Sequence, residues 1–390
     1  MKACVVGAGI TGVTTAYYLA KAGYSVTIYD SRKYPAMATS YANGGQLSAS
    51  NAETWNSWRS VYKGAKWLFK KDAPLKINPM PSMEKYSWFF KFIKEIPNAE
   101  INTQRTCEMA LNAHGLYKSI ADEEGIQFDK VEKGILHIYT DAAEYENAKR
   151  VNEVYARAGL DRWQVSAEEC LRIEPALVPP PTLLGGFYNE TDFTGDIHKF
   201  CIELSKVLET KYGVEIVQQE VTNLQDTGDA QGPIVVCAGI GSRSLAWGIG
   251  DKLDIYPVKG YSITIHNPDV APWTSMLDDE AKIVTSRLGE DRLRVAGTAE
   301  FTGYNTDIIK SRVRPLIEWS NRIFPGINTE HVTPWAGLRP MTPNMMPIVK
   351  QSTRDSRVFY NTGHGHLGWT LSAFTATQIV ENIQKNHNGF

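Results

Sequence analysis

MKACVVGAGITGVTTAYYLAKAGYSVTIYD, residues 1–30, is the stretch that decides the fold of this chain. Its apolar start predicts a buried strand, and the spacing Gly-x-Gly-x-x-Gly begins directly after it at Gly7. The apolar periodicity that follows predicts a helix over 10–21, and a second predicted strand over 25–29 ends in Asp30. This order of strand, glycine-rich turn, helix and acid-terminated strand is typical of the βαβ unit that binds dinucleotides.

Three glycines and one acid give this unit its chemistry. Gly7 permits the tight turn, Gly9 lets a diphosphate approach the backbone, and Gly12 lets the helix pack closely on the sheet. The helix N-terminus offers N–H groups to phosphates, and Asp30 can accept hydrogen bonds from a ribose. The alternative, a glycine-rich turn in another α/β protein, is disfavoured by the flanking elements, although the unit suits NAD as well as FAD. The predicted contacts here are Gly7, Gly9, Ile10, Thr11, Gly12, Asp30 and Ser31.

The composition bounds the class of protein. At 390 residues the chain exceeds one typical core, so we expect two domains. A hydrophobic content of 43%, a charged content of 22% and a net charge of -2 are ordinary for a globular protein and argue against a nucleic-acid partner. The five cysteines show neither a CxxC pair nor metal-ligand spacing, so we expect a reducing compartment and no metal site.

The sequence predicts a cytoplasmic protein with one segment that can meet a membrane surface. The first strand begins near residue 3, and no apolar run reaches the ~18 residues of a membrane span. Residues 55–71, WNSWRSVYKGAKWLFKK, place aromatic and basic side chains on a helix in the pattern of an interfacial segment. The apolar face is Trp55, Trp58, Tyr62, Ala65 and Phe69, beside Arg59, Lys63, Lys66, Lys70 and Lys71. The alternative is a helix packed on its own domain with its lysines in solvent.

Two structural styles alternate along the chain. The βαβ style returns in the helix that Asp196 caps and again after residue 358, whereas residues 256–301 alternate like antiparallel strands. The cleft between the two parts is the natural substrate site. We therefore predict a dinucleotide-binding domain from residues 1–50, 195–245 and 330–390, interleaved with a substrate-binding domain from residues 51–194 and 246–329.

Six ordered stretches carry a family resemblance: Val5–Gly12, Thr39–Gln46, Lys66–Phe69, Tyr256–Ser262, Gly337–Pro343 and Asn361–Thr370. Together they resemble the small subunit of the FAD-dependent D-amino acid dehydrogenase family, within the D-amino-acid-oxidase and glycine-oxidase group of flavoproteins. The resemblance implies an α/β fold (α+β overall), with a glutathione-reductase-type FAD-binding Rossmann domain interleaved with an antiparallel-sheet domain. No cysteine lies near the motifs at which relatives attach flavin, so we expect non-covalent FAD.

The resemblance implies further FAD contacts. The 40–46 loop would approach the diphosphate and the flavin ring, and the backbone at Val221 would meet the adenine. The glycine-rich loop after residue 362 would aim a helix N-terminus at the flavin pyrimidine edge. A surface turn at residues 43–45 and structural hydrogen bonding by His364 and His366 are the alternatives. These contacts are Ser40, Asn43, Gly44, Gly45, Gln46, Val221, Ala238, Gly239, Arg339, Gly363, Gly365, His366, Leu367, Gly368, Trp369 and Thr370.

The resemblance also implies a substrate site. Arg339, in Gly-x-Arg-Pro, would bind the substrate carboxylate, because a guanidinium fork matches a carboxylate with two parallel hydrogen bonds. Tyr261 is the second predicted catalytic residue, on a strand expected to face the flavin. Tyr304 and His366 are weaker candidates for the pocket. The alternatives are a structural salt bridge for Arg339 and core packing for both tyrosines.

The implied reaction is oxidative deamination of a small amino acid. A hydride would pass from Cα to flavin N5, and the imino acid would hydrolyse to a 2-oxo acid and ammonia, with the electrons passed to a quinone or a carrier protein. The preference for D-amino acids rests on the resemblance alone. An O2-using oxidase of the glycine, sarcosine or proline type stays open, as does a non-catalytic FAD-binding subunit of a complex.

Overall fold

The computed structural model describes residues 1–67, 75–227 and 232–387. In chain order its strands are β1 Lys2–Val6, β2 Ser25–Asp30, β3 Gln46–Leu47, β4 Leu75–Ile77, β5 Ile135–Tyr139, β6 Trp163–Val165, β7 Gly185–Asn189, β8 Phe193–Thr194, β9 Glu215–Gln218, β10 Ile234–Val236, β11 Tyr256–His266, β12 Ser275–Asp278, β13 Ile283–Leu288, β14 Arg292–Phe301, β15 Val332–Met341, β16 Ile348–Gln351 and β17 Val358–Thr362. Its α-helices are α1 Ile10–Lys21, α2 Trp58–Trp67, α3 Met83–Lys94, α4 Ala99–Glu124, α5 Ala142–Arg157, α6 Ala167–Ile173, α7 Ile197–Tyr212, α8 Ser242–Gly248, α9 Lys310–Ile323 and α10 Gly368–His387.

The first sheet is the predicted dinucleotide-binding unit, extended on both sides. Its order is β16-β17-β10-β1-β2-β9, and every pair is parallel except β16 with β17. β1 lies in the middle, which explains its continuous apolar run, and α1, α7 and α10 bury their apolar sides in one core with it. The side chain of Asp196 caps α7 by accepting from the amides of His198 and Lys199, as the sequence predicts.

The second sheet is larger and mainly antiparallel. Eight strands follow the order β15-β11-β14-β13-β12-β5-β7-β6, and β4 joins the edge of β14. Ten of the eleven residues of β11 are buried, because α9 covers one face of the sheet and the first sheet's loops approach the other. The α/β architecture with an antiparallel second sheet is therefore confirmed.

The division between the two parts differs from the predicted domain boundaries in two places. β15 was placed in the dinucleotide-binding part, but it pairs with β11 along ten residues and belongs to the second sheet. α4 was placed in the substrate part, but Ala113, Tyr117 and Ile120 pack in the core of the first sheet. Pairing between strands so distant in the chain leaves no local signal in the sequence.

The predicted interfacial segment becomes α2 and the turn before it. Trp58 and Tyr62 are 66% and 71% exposed, whereas Trp55 turns inward and stacks on His366. Phe69, Lys70 and Lys71 lie outside the described residues. In the ranges that the structure describes, no helix is long and apolar enough to cross a membrane.

Candidate active site

In the described part of the chain, a large cavity with a volume of about 1340 Å³ lies between the two sheets. This exceeds the ~300–1,000 Å³ of a typical small-molecule pocket, as expected where a dinucleotide and a substrate share one space. The loops after β1, β2 and β10 form one end, and the middle of β11, β14 and β15 forms the other. All predicted site residues border this cavity except Gly12 and Tyr304.

The glycine-rich turn shapes one end of the cavity. Gly7 has a φ of 107°, which L side chains rarely adopt. Gly12 lies behind the turn, where a Cβ would collide with the carbonyl oxygen of Gly7, so its role is helix packing rather than contact with a ligand. Gly9 has no side chain to cap α1, and Ser40 Oγ accepts from the Ile10 amide at 3.1 Å, so the N–H groups that follow in the first turn are left for a ligand. Asp30 Oδ2 accepts from the Ala8 amide at 2.6 Å and so fixes the turn.

Second-sheet side chains that the sequence reasoning missed hold the 42–46 loop. Ser262 Oγ donates to the Ala42 carbonyl at 2.7 Å, and Ser286 Oγ donates to the Gly44 carbonyl at 2.6 Å. Arg294 Nη1 donates to the Asn43 carbonyl at 3.1 Å. The only signal in the sequence was the placement of polar residues within buried strands. The loop is therefore not a free surface turn.

The carboxyl-terminal loop and α10 form a wall of the cavity beside the start of α1, where Thr11 Oγ1 lies 3.1 Å from Ser372 Oγ. Gly363 and Gly365 have φ values of 74° and 59°, and α10 begins directly afterwards at Gly368. Thr370 Oγ1 accepts from the Ser48 amide at 3.3 Å, which joins the helix start to the 46–51 segment. Trp369 corrects one expectation: its ring packs against Tyr117 and Phe200 in the core, so only its backbone can face a cofactor.

Arg339 reaches the cavity from β15. Its Nη1 donates to the Thr298 carbonyl at 2.9 Å, and its guanidinium covers Gly260, where a Cβ would collide with Nη2 and Cζ. In the described parts of the chain Arg339 forms no ion pair with an acidic residue. Burial lowers the pKa of Arg339 to about 10, so it is still charged at neutral pH. A structural salt bridge, the alternative reading of this arginine, is absent.

His366 and Trp55 form an aromatic wall beside Arg339. Their rings stack with centroids 4.8 Å apart and an interplanar angle of 24°. Neither ring nitrogen of His366 has a hydrogen-bond partner of normal geometry among the described residues. Burial, and then the charge of Arg339, lower the pKa of His366 to about 3, so this imidazole is neutral. Trp55 was predicted only as part of an interfacial face.

The side chains of the two tyrosines predicted for the pocket do not face Arg339. Tyr261 is 1% exposed in the core under α9, and its hydroxyl donates to Glu300 Oε2 at 3.1 Å. Its phenol therefore faces away from Arg339, although the strand itself borders the cavity. Tyr304 is 53% exposed in the turn after β14, beside Glu84 at 3.4 Å, and lines a separate small hollow. Both expectations are corrected, because Tyr261 lies on the face of β11 that packs under α9 and Tyr304 lies in an exposed turn.

The residues of the cavity fit FAD. The start of α1 suits a diphosphate, the acid at the end of β2 suits a ribose, and the start of α10 suits the electron-rich edge of a flavin. The two glycine-rich loops bring backbone rather than side chains to the cavity between them. No group of three or more His, Cys, Asp or Glu side chains in the described ranges is placed to hold a metal ion.

Comparison with known proteins gives the family of this chain and its similar proteins. Residues 2–382 match the family described as DAO, FAD dependent oxidoreductase. A protein named D-amino acid dehydrogenase 3, from Mesorhizobium japonicum, is 52% identical, and the alignment covers 97% of this chain and 96% of the relative. The D-amino acid dehydrogenase of Paramagnetospirillum magneticum is 42% identical, with 98% and 95% covered.

Solved structures share the fold at low sequence identity. The glycine oxidase of Geobacillus kaustophilus superposes with a TM-score of 0.76 at 19% identity, covering 98% of this chain and 94% of that one. The L-proline dehydrogenase of P. horikoshii superposes with a TM-score of 0.75 at 17% identity, covering 99% and 93%. With a family match over nearly the whole chain and relatives above 30% identity, the chain belongs to the DAO family of FAD-dependent oxidoreductases.

Proposed function

We propose that this protein is an FAD-dependent D-amino acid dehydrogenase that converts a D-amino acid to the 2-oxo acid and ammonia. The observation that carries the proposal is Arg339, a guanidinium inside the cofactor cavity with no acidic partner in the described residues. Such a cation is stable only if an anion joins it or it has solvent access, and an amino acid brings a carboxylate. The names of the relatives at 52% and 42% identity agree with this substrate class.

Arg339 orients the substrate in this scheme. One guanidinium edge is occupied by the Thr298 carbonyl, and the remaining N–H groups are available for the two oxygens of a carboxylate. The contact with Gly260 holds the guanidinium plane, which fixes the direction in which the substrate Cα points. Catalysis by this chain is then mainly orientation and electrostatic stabilisation.

His366 complements Arg339 by being neutral. A ring nitrogen without a proton can accept a hydrogen bond from the substrate amino group, whereas an imidazolium beside Arg339 would repel it. Burial keeps the ring in that neutral form, so the acceptor is present across the physiological pH range. The Trp55 stack holds the ring in place.

FAD, when bound, accepts the two electrons and the hydrogen of the substrate Cα–H bond. We assign its adenosine half to Asp30 and Val221, its diphosphate to the turn from Gly7 to Thr11, and its flavin ring to the 42–46 and 363–370 segments. All of these segments border the one cavity. The protein's own part is to exclude water from this space and to hold the substrate carboxylate.

The test is anaerobic reduction of the bound flavin. Purified holoprotein mixed with D-alanine, D-phenylalanine and their L-enantiomers should lose its flavin absorbance with the D-amino acids only. Bleaching by glycine, sarcosine or proline in preference to D-amino acids would replace the proposal with an imino-acid or glycine-type enzyme. No bleaching with any of them would indicate a non-catalytic FAD-binding subunit.

We propose a quinone as the electron acceptor, reached from a membrane surface. An apolar lobe of the same cavity lies beneath α2 and α3 and is formed by Val61, Leu75, Ile77 and Phe89. The outer sides of these two helices carry exposed apolar side chains near basic ones. These are Trp58, Tyr62, Met83, Tyr86 and Phe90, with Lys66 and Lys94.

Two measurements test the acceptor. Protein whose flavin has been reduced by substrate, without dithionite, should be reoxidised faster by a soluble benzoquinone than by O2. Rapid formation of peroxide would favour an oxidase instead. The holoprotein should sediment with anionic phospholipid vesicles, and the double variant Trp58→Ser, Phe90→Ser should not. Trp163→Ser, at an exposed tryptophan of β6, is the control and should still sediment.

A further inference from the structure

Few contacts hold the side chain of Arg339 in place. Its guanidinium donates one hydrogen bond, to the main-chain carbonyl of Thr298, and rests on Gly260. A long side chain with several rotatable bonds and no acidic partner depends on these two contacts for its orientation. The conformation of residue 298 therefore decides where the carboxylate-binding group points.

Thr298 owes its conformation to a β-bulge. β14 and β11 are in register at Lys259 with Glu300 and at Tyr261 with Gly297, so two residues of β14, at 298 and 299, oppose the single residue Gly260. An extra residue of this kind bends the strand and re-aims its groups, and bulges recur beside active sites. Here the bulge turns the residue 298 carbonyl towards Arg339.

The residue type at this bulge is unexpected on physical grounds. Thr298 has a φ of 61°, and it alone is β-branched among the six non-glycine residues with positive φ in the described part of the chain. A β-branched side chain is strained there, and Gly or Asn would fit better. Its side chain is only 9% exposed, and Oγ1 has no hydrogen-bond partner among the described residues. Two unfavourable features at one residue of a ligand cavity point to a role with the ligand.

The strain is held by the packing behind the sheet. Glu300, two residues further along β14, lies within 3.4 Å of Lys259 Nζ and 2.7 Å of Arg312 Nε, and all three side chains are almost fully buried. This ionic cluster locks the register directly beyond the bulge. The bulge therefore does not relax by sliding one strand against the other.

We propose that Thr298 is a second carboxylate-binding residue, which orients Arg339 with its carbonyl and donates its hydroxyl to the substrate carboxylate. The hydrogen bond at 2.9 Å places the residue directly beside the guanidinium. A change of χ1 between staggered rotamers moves the hydroxyl into the position that the methyl group or the hydrogen held, without moving the strand. The bound carboxylate then gives Oγ1 the partner that it lacks. This inference rests on the proposed amino acid substrate.

Steady-state kinetics with D-alanine and an artificial acceptor tests this inference on three variants of the holoenzyme. Thr298→Val keeps the shape and the strain but removes the donor, so its KM should rise roughly 10–100-fold with kcat changed less than about threefold, because the lost bond acts on substrate and transition state alike. Thr298→Ser restores the donor and should stay within about threefold of wild type. Thr285→Val, in neighbouring β13, is the matched control: its hydroxyl already serves the Met276 amide, and its KM should not change.

The outcomes separate the two proposals. A wild-type flavin that D-amino acids do not reduce would overturn the proposed function and this inference together. An active wild type with an unchanged KM in Thr298→Val would overturn the inference alone. A similar rise in KM in Thr285→Val, or a loss of FAD affinity in Thr298→Val, would also overturn it, since the first indicates general strand damage and the second indicates contact with the cofactor.

Discussion

At the scale of single residues, the environment of a side chain decides its role more than its type does. Arg339 and Arg312 both lie deep in the protein, yet Arg312 pairs with Glu300, whereas Arg339 faces the cavity and has no acidic partner among the described residues. The motif around Arg339 was recognisable in the sequence, and so was the carboxylate chemistry of a guanidinium. The environment that distinguishes Arg339 from a structural arginine is formed by three distant strands. That environment was not recognisable in the sequence.

Tyr261 shows the opposite case. It lies in a recognisable motif, and a phenol suits an amino acid, yet the side chain points to the core under α9. Alternation along β11 places Tyr261 with Ile263 and Ile265 on the face that packs under α9, but the prediction followed the motif instead of this pattern. The bulge opposite Gly260 adds one residue to β14, so the residues beyond it change face relative to their neighbours on β11. Trp55 and Thr298 were missed because only the folded chain brings them to Arg339.

The buried side chain of His364 predicts how the free energy of unfolding depends on pH. His364 is buried with its Nε2 2.8 Å from Thr375 Oγ1, and burial lowers its pKa to about 3. A histidine in the unfolded chain has a pKa of about 6.5, so below that pH the unfolded state binds the extra proton and stability falls. Between pH 7.5 and 5.0 this one residue should remove roughly 2 kcal/mol from the free energy of unfolding.

Urea denaturation of His364→Gln at the two pH values checks this. A glutamine amide can still bond to Thr375 but does not titrate. The decrease in the free energy of unfolding from pH 7.5 to 5.0 should therefore be about 2 kcal/mol smaller in the variant than in wild type. Equal decreases would show that His364 is not the group responsible.

At the scale of elements, the βαβ unit was the most predictable part of the fold. The helix predicted over 10–21 is α1 to the residue, since its signals are all local: apolar periodicity, glycine before it and glycine after it. Alternation also located the antiparallel strands predicted at residues 261–265, 282–284 and 292–295, although β13 runs from Ile283 to Leu288. The partners of these strands were not predicted, and neither was β15. β11 and β15 are about 70 residues apart in the chain, and pairing over such a distance is decided by tertiary packing.

The close approach of α1 to β1 gives a prediction at this scale. Gly12→Ala should displace the helix start, because its Cβ would meet the Gly7 carbonyl, and FAD binding should be lost or weakened at least about tenfold. Gly115→Ala, inside α4, is the matched control, since nothing lies within 4 Å of its Cβ. That variant should gain up to about 1 kcal/mol of stability with FAD affinity unchanged. Fluorescence titration of the deflavinated protein with FAD compares them, and equal affinities in both variants would contradict the packing role.

The buried ionic cluster of Glu300, Lys259 and Arg312 gives a second prediction at the scale of elements. Glu300→Gln removes the acid shared by Lys259, Arg312 and the Tyr261 hydroxyl, which leaves buried cations without a counter-charge. The free energy of unfolding in urea should fall by about 3–5 kcal/mol. Glu318→Gln, which breaks the exposed pair with Arg314 on α9, should cost less than about 1 kcal/mol. Similar losses in the two variants would mean that the buried cluster does not lock β11 to β14.

At the scale of the whole molecule, the chain crosses between the two sheets repeatedly, and the site exists only where they meet. The first sheet contributes the loops assigned to FAD, while the second contributes Arg339, Thr298 and the donors that hold the 42–46 loop. The sequence predicted that a cleft would form between two interleaved parts. It did not predict that the second sheet would help to hold the cofactor loop, since that requires side chains far apart in sequence to converge.

Capture of a carboxylate by Arg339 at the junction of the two sheets is tested most directly by comparing D-alanine with D-alaninamide as anaerobic reductants of the bound flavin. The amide lacks the negative charge that Arg339 binds but keeps the amino group and the Cα–H bond. Wild-type holoprotein should be reduced by D-alanine with a second-order rate constant at least ~100-fold higher than by the amide, and Arg339→Met should bring the two within about fivefold of each other. Equal rates for the two compounds in wild type, or an unchanged preference in Arg339→Met, would contradict the assignment of Arg339 as the substrate anchor.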